Sequence, residues 1–121
     1  MKFCWSTLRT KNLDDSIRFY SDIVGLKVVE RFTAGPGMEI AFLASGETKI
    51  ELICDGSDRD INVGNDISWG FEVESLDKTL GYIREKGINI DGGPFQPNPH
   101  IRYFFIQDPN GMRLQIVENI R

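Results

Sequence analysis

The chain repeats itself, and an internal repeat restricts the possible folds more than any single motif does. Residues 12–26 read NLDDSIRFYSDIVGL and residues 75–88 read SLDKTLGYIREKGI. Leu13 and Leu76 stand 63 positions apart, and the match keeps its phase upstream, where WSTLRTKNLD (5–14) lies over SWGFEVESLD (68–77). Each copy reads as a strand running into a helix. Asn12 and Ser75 carry side-chain oxygens suited to capping the orphan N–H groups of a helix start. Gly25 and Gly87 are placed to stop each helix in the left-handed conformation. Leu13, Ile17, Tyr20 and Val24 mark the apolar face of the first helix; Leu76, Leu80 and Ile83 mark that of the second.

After each helix the pattern turns to β. Strands are expected near 27–33, 38–44 and 47–54 in the first copy, with SGET as the last turn. In the second copy they are expected near 88–91, 101–107 and 112–118, with DPNG as the last turn. In that turn Pro109 presets φ and Gly111 accepts positive φ. The chain therefore reads β-α-β-β-β twice, an α+β fold. The modules are 1–54 and 67–121, joined by a polar linker at 55–66. At 121 residues the two modules form one domain's worth of chain.

Strand parity separates an apolar face from a mixed one. The first strand sets Cys4, Ser6 and Leu8 against Phe3, Trp5, Thr7 and Arg9. The strand at 47–54 sets Ile50 and Leu52 against Lys49, Glu51 and Ile53. The strand near 67–73 sets Trp69, Phe71 and Val73 against Ser68, Gly70 and Glu72. The last strand sets Leu114 and Ile116 against Arg113, Gln115 and Val117. The apolar sides should pack on the helices and be buried. The mixed sides would line the concave face of a curved sheet, and the candidate ligand-binding residues are Trp5, Thr7, Arg9, Glu51, Ser68, Glu72, Arg113 and Gln115.

Composition excludes several partners. The net charge is -4 and no basic stripe is present, so nucleic acid is not expected. No run approaches the ~18 apolar residues of a membrane span. The opening MKFCWSTLRT has no cleavage-type segment, and a cytoplasmic location is expected. Cys4 and Cys54 lack a CxxC spacing, and Cys4 is expected to be a buried reduced thiol within the first strand.

The LDDSIRFYSDIVGLKVV segment and the DPNGMRLQIVE hairpin, together with the duplication, resemble the glyoxalase I, bleomycin-resistance and extradiol-dioxygenase superfamily, the vicinal oxygen chelate fold. The resemblance runs along essentially the whole chain. It implies paired βαβββ modules forming a curved mixed sheet around a cleft, where many members bind a divalent metal. The family's four ligand positions, usually His or Gln, Glu, His and Glu, fall here on Trp5, Glu51, Ser68 and Gln115. Only Glu51 matches. Trp has no lone pair to give, Ser is a poor neutral ligand, and an amide oxygen binds weakly. The single histidine, His100, is not at a ligand position. The lyases of the family use the fourth-position Glu as a base on a carbon acid, which Gln115 cannot be. Arg9 matches the family arginine that holds a glutathione carboxylate.

The expectation is thus a metal-independent binder of a small molecule, with no cofactor, and a divalent metal only as a subsidiary possibility. Trp5 would stack, Glu51 and Glu72 would favour a cation, and Arg9 or Arg113 would anchor an anion. The alternatives are a divergent metal-dependent lyase or isomerase resembling lactoylglutathione lyase, and a non-catalytic interaction module. A homodimer is expected, because a half-sheet leaves strand edges that proteins usually cover.

Overall fold

A computed structural model of the chain describes residues 1–57 and 60–121. Two compact units result, Met1–Val63 and Gly64–Arg121. The linker expected at 55–66 spans their junction, and Asp58 and Arg59 within it lie outside the described residues.

The first unit runs β1 (Trp5–Arg9), α1 (Leu13–Arg18), β2 (Lys27–Thr33), β3 (Glu39–Ala44) and β4 (Lys49–Cys54). The second runs β5 (Ser68–Glu72), α2 (Leu76–Glu85), β6 (Phe95–Asn98), β7 (Ile101–Gln107) and β8 (Arg113–Asn119). Each unit forms a four-stranded mixed sheet, ordered β1-β4-β3-β2 and β5-β8-β7-β6. In both, the first strand lies parallel to the fourth and the remaining pairs are antiparallel. The duplication in sequence is thus a duplication of topology.

The caps form where their chemistry requires. Asn12 Oδ1 accepts from the Asp15 N–H at 3.0 Å and Ser75 Oγ from the Lys78 N–H at 3.3 Å. Gly25 and Gly87 take φ of +87° and +76° and end the helical segments. The first segment is not uniform: α1 stops at Arg18 and the chain widens into a π-type turn over Phe19–Ile23, closed by the Val24 N–H on the Phe19 carbonyl at 3.3 Å. That turn presents Tyr20 to the core, where it is fully buried.

The apolar faces found by parity point into the two cores. Leu8, Ile50 and Leu52 are buried in the first, Leu114 and Ile116 in the second. Trp69 and Phe71 share the inward side but are only half-buried. They lie on an edge strand, which has a neighbour on one side only.

Two expectations fail. Cys4 precedes β1 and is exposed: its carbonyl still takes the Lys49 N–H at 3.4 Å, but its side chain is not covered by the core. Residues 88–91 form no strand; the pairing partner of β7 is β6 at Phe95–Asn98. The Asp91 N–H does reach the Phe105 carbonyl at 2.7 Å and the Phe105 N–H the Gly92 carbonyl at 2.9 Å, but the pairing then breaks at Gly93, which like Gly92 takes positive φ. A side chain at Gly93 would meet the Tyr103 carbonyl oxygen at 3.0 Å, so the break has to be glycine. The outer strand of this sheet is thus β6, beyond the glycine pair.

The DPNG turn closes as its residues dictate. Asp108, buried, accepts from the backbone N–H groups of Asn110 at 2.7 Å and Met112 at 2.8 Å. This fixes the register in which β8 presents Arg113 and Gln115 on one face and Leu114 on the other.

Candidate functional site

All eight candidate residues fall on strands: Trp5, Thr7 and Arg9 on β1, Glu51 on β4, Ser68 and Glu72 on β5, Arg113 and Gln115 on β8. Each unit brings its own share together.

In the first unit, Thr7 is in register with Glu51, and its hydroxyl donates to Glu51 Oε1 at 2.7 Å. Trp5 meets the ring of Phe42 edge-on, with centroids 5.1 Å apart, and the Phe32 ring lies near-parallel to Phe42 at 6.3 Å. Lys49 Nζ lies 5.9 Å from the Phe42 centroid. Phe42 faces Glu51 on β4 and Glu30 on β2. The result is a hollow of about 380 Å³ lined by Trp5, Glu30, Phe32, Phe42, Lys49 and Glu51. Its floor is aromatic and its rim carries two carboxylates and one ammonium.

Phe42, Phe32 and Glu30 were not among the expected site residues. β3 reads EIAFLA, apolar on both faces, so parity gives no sign of which side Phe42 takes. Glu30 and Phe32 reach this face because β2 is bulged between Val28 and Glu30. The bulge shifts the alternation by one residue. It also turns Arg31 to the helix side, where it pairs with Asp14 of α1 at 2.7 Å and is held more firmly protonated than usual by that hydrogen bond.

Arg9 is not placed with Glu51. Its guanidinium pairs with Asp55 at 3.1 Å, beyond the end of β4.

In the second unit, Ser68 is in register with Arg113 and Gly70 with Gln115. The Arg113 guanidinium stacks on Phe105, 3.7 Å from the ring centroid, and its Nε lies 3.7 Å from Asp91. Gln107 donates to the same carboxylate at 3.0 Å. Phe105 meets Tyr103 edge-on at 5.7 Å. Glu72 stands apart, accepting from Asn119 Nδ2 at 2.6 Å.

The ladders equate Thr7, Glu51 and Phe42 with Gly70, Gln115 and Phe105, and Lys49 with Arg113. Both copies thus keep a cation beside a third-strand phenylalanine, and they differ where chemistry would differ: Glu against Gln, Thr against Gly. Aligning the two copies through β3 and β7 is the signal that would have found Phe42 and Phe105.

The donors at the four family ligand positions do not fit a divalent ion. Trp5 packs edge-on against Phe42, Glu51 already accepts the Thr7 hydroxyl, and Ser68 and Gln115 are neutral. Among the described residues no cluster of three or more His, Cys, Asp or Glu side chains is placed to hold a metal.

Two like βαβββ units in one chain, each with its mixed face on the first and fourth strands, define a glyoxalase-type protein. Residues 3–116 match the model of the Glyoxalase/Bleomycin resistance protein/Dioxygenase superfamily, and the chain belongs to that family. It is 28% identical over 129 residues to a lactoylglutathione lyase of Salmonella typhimurium, covering 98% of this chain and 93% of the relative. Among solved structures, a glyoxalase family protein from Bacillus cereus superposes with a TM-score of 0.85 at 19% identity, covering 100% of this chain and 95% of that one. The trypanothione-dependent glyoxalase I of Leishmania major superposes at 0.83 with 20% identity, covering 98% and 86%. At these identities the structures establish the fold.

Proposed function

We propose that this chain binds a small organic molecule on its mixed sheet faces without a metal. One observation carries the reading. At the first family ligand position a metal donor is replaced by Trp5, and Trp5 builds a hollow with Phe42 and Phe32 instead of facing a cation. An aromatic floor with a few polar groups at its rim is the usual make-up of a small-molecule site. Glu30 and Glu51 outweigh Lys49 in charge, so the first unit's hollow favours a neutral or cationic aromatic group.

The test is a titration of Trp5 emission with benzylamine, read in a Trp69→Phe variant so that one indole reports. Saturable quenching is expected, and Phe42→Ala should abolish it. Quenching that is linear and unaffected by Phe42→Ala would refute the hollow as a site.

A second reading, lyase activity, is favoured by the likeness to lactoylglutathione lyases. It needs a base where Gln115 stands, and formation of lactoylglutathione by the purified protein would establish it. The assembly we propose is a cytoplasmic homodimer. β2 is a sheet edge whose residues are all exposed, including Val28, Val29 and Phe32, and such edges are usually covered. No helix among the described residues is long and apolar enough to cross a membrane.

A further inference from the structure

The second unit's mixed face carries donors that make no hydrogen bond among the described residues. Arg113 is held by two contacts that orient its plane. Phe105 lies beneath it at 3.7 Å and Asp91 approaches its Nε at 3.7 Å. The Asp91 contact is a 3.7 Å approach rather than a hydrogen bond, and among the described residues no hydrogen bond engages either Arg113 Nη.

Gln115, half-buried beside it on β8, likewise has no hydrogen-bond partner among the described residues. In the first unit the equivalent carboxylate is capped by Thr7; here the facing residue is Gly70, which has no side chain to offer. Ser68, in register with Arg113, adds a hydroxyl that no hydrogen bond engages among the described residues. Three donors of the right kind therefore share one face of the sheet with Phe105 and Tyr103.

We infer that Arg113, Gln115 and Ser68 form a subsite for the carboxylate of an aromatic or other planar organic acid. A guanidinium held flat on a ring offers its two terminal nitrogens as a fork, which matches the two oxygens of a carboxylate. The neutral amide of Gln115 can donate to the same group without the repulsion a Glu would bring. Arg9, the other candidate anchor, commits a terminal Nη to a 3.1 Å hydrogen bond to Asp55, whereas Asp91 approaches Arg113 only at Nε, so the geometry favours Arg113 as the anchor.

The inference rests on the small-molecule reading but is tested on a different unit. The full chain, labelled with ¹⁵N, is titrated with benzoate, with benzamide as the neutral analogue, and with inorganic phosphate. Benzoate should shift the backbone amides of Ser68, Gly92 and Gln115 with one saturating curve. Benzamide and phosphate should bind at least about tenfold more weakly, since a charge-assisted pair and its planar geometry are lost. Arg113→Gln should weaken benzoate by about tenfold or more and leave benzamide within about twofold. Gln115→Glu, nearly isosteric, should weaken benzoate comparably by like-charge repulsion, and it serves if Arg113→Gln does not fold. Equal binding of benzoate and benzamide, phosphate as tight as benzoate, or unchanged affinity in either variant would overturn the subsite. If benzylamine still quenches Trp5 while benzoate moves none of these amides, the carboxylate subsite fails and the small-molecule reading stands.

Discussion

Leu114 and Gln115 are neighbours on a central strand, and their two substitutions should behave oppositely. Leu114 is fully buried, packed between Trp69 of β5 and Ile106 of β7. Truncation to Ala removes hydrocarbon worth ~0.8 kcal/mol per methylene and leaves a cavity that a central strand cannot collapse to fill. Leu114→Ala should therefore cost about 2 to 5 kcal/mol. Gln115 is half-buried on the other face and makes no hydrogen bond within the described residues, so Gln115→Ala should stay within about 0.5 kcal/mol of the native chain. Urea unfolding followed by far-ultraviolet circular dichroism measures both, provided the slope with denaturant is unchanged between variants. A Leu114→Ala loss below about 1 kcal/mol, or a Gln115→Ala loss above about 2 kcal/mol, would mean that the parity of β8 is inverted. The candidate face would fall with it.

Asp108→Ala should destabilise by about 1 to 3 kcal/mol in the same assay, because the N–H groups of Asn110 and Met112 lose their acceptor. Asp77, whose hydrogen bond from Arg102 holds its carboxyl below the usual range, contributes stability that is present above the unfolded carboxylate pKa and lost as pH falls through the folded one. In Arg102→Ala the Asp77 pKa, followed by carboxyl NMR, should rise toward its ordinary value, and an unmoved pKa would assign the shift elsewhere. Light scattering at micromolar protein should return twice the 13.8 kDa of one chain; the monomer mass would remove the proposed dimer.

The paired modules were legible because caps, stop glycines and helix faces recur in one phase, and each such signal is local. Strand parity was equally legible where one side is polar, as in SWGFE and RLQIVEN. It was silent for β3, whose two faces are both apolar, and so Phe42 escaped notice. The bulge in β2 was also hidden: VVER contains no glycine to mark it, and the bulge alone decides that Glu30 rather than Val29 faces Phe42. Residues 88–91 misled for a related reason. INID has strand-like alternation, but the ladder beside β7 is resumed only after two glycines in positive φ, a tertiary constraint that alternation does not carry. Arg9 was placed on the correct strand, yet its partner Asp55 lies beyond the end of β4, where parity makes no prediction.

Metal independence of the site is tested by measuring metal and ligand on the same sample. Protein purified without chelator is analysed by plasma mass spectrometry, and its benzylamine affinity is measured before and after dialysis against EDTA. A metal-independent site should hold far less than about one transition-metal ion per chain and keep an affinity that EDTA leaves unchanged. About one zinc, nickel, iron or manganese per chain, with benzylamine binding lost on its removal, would contradict it.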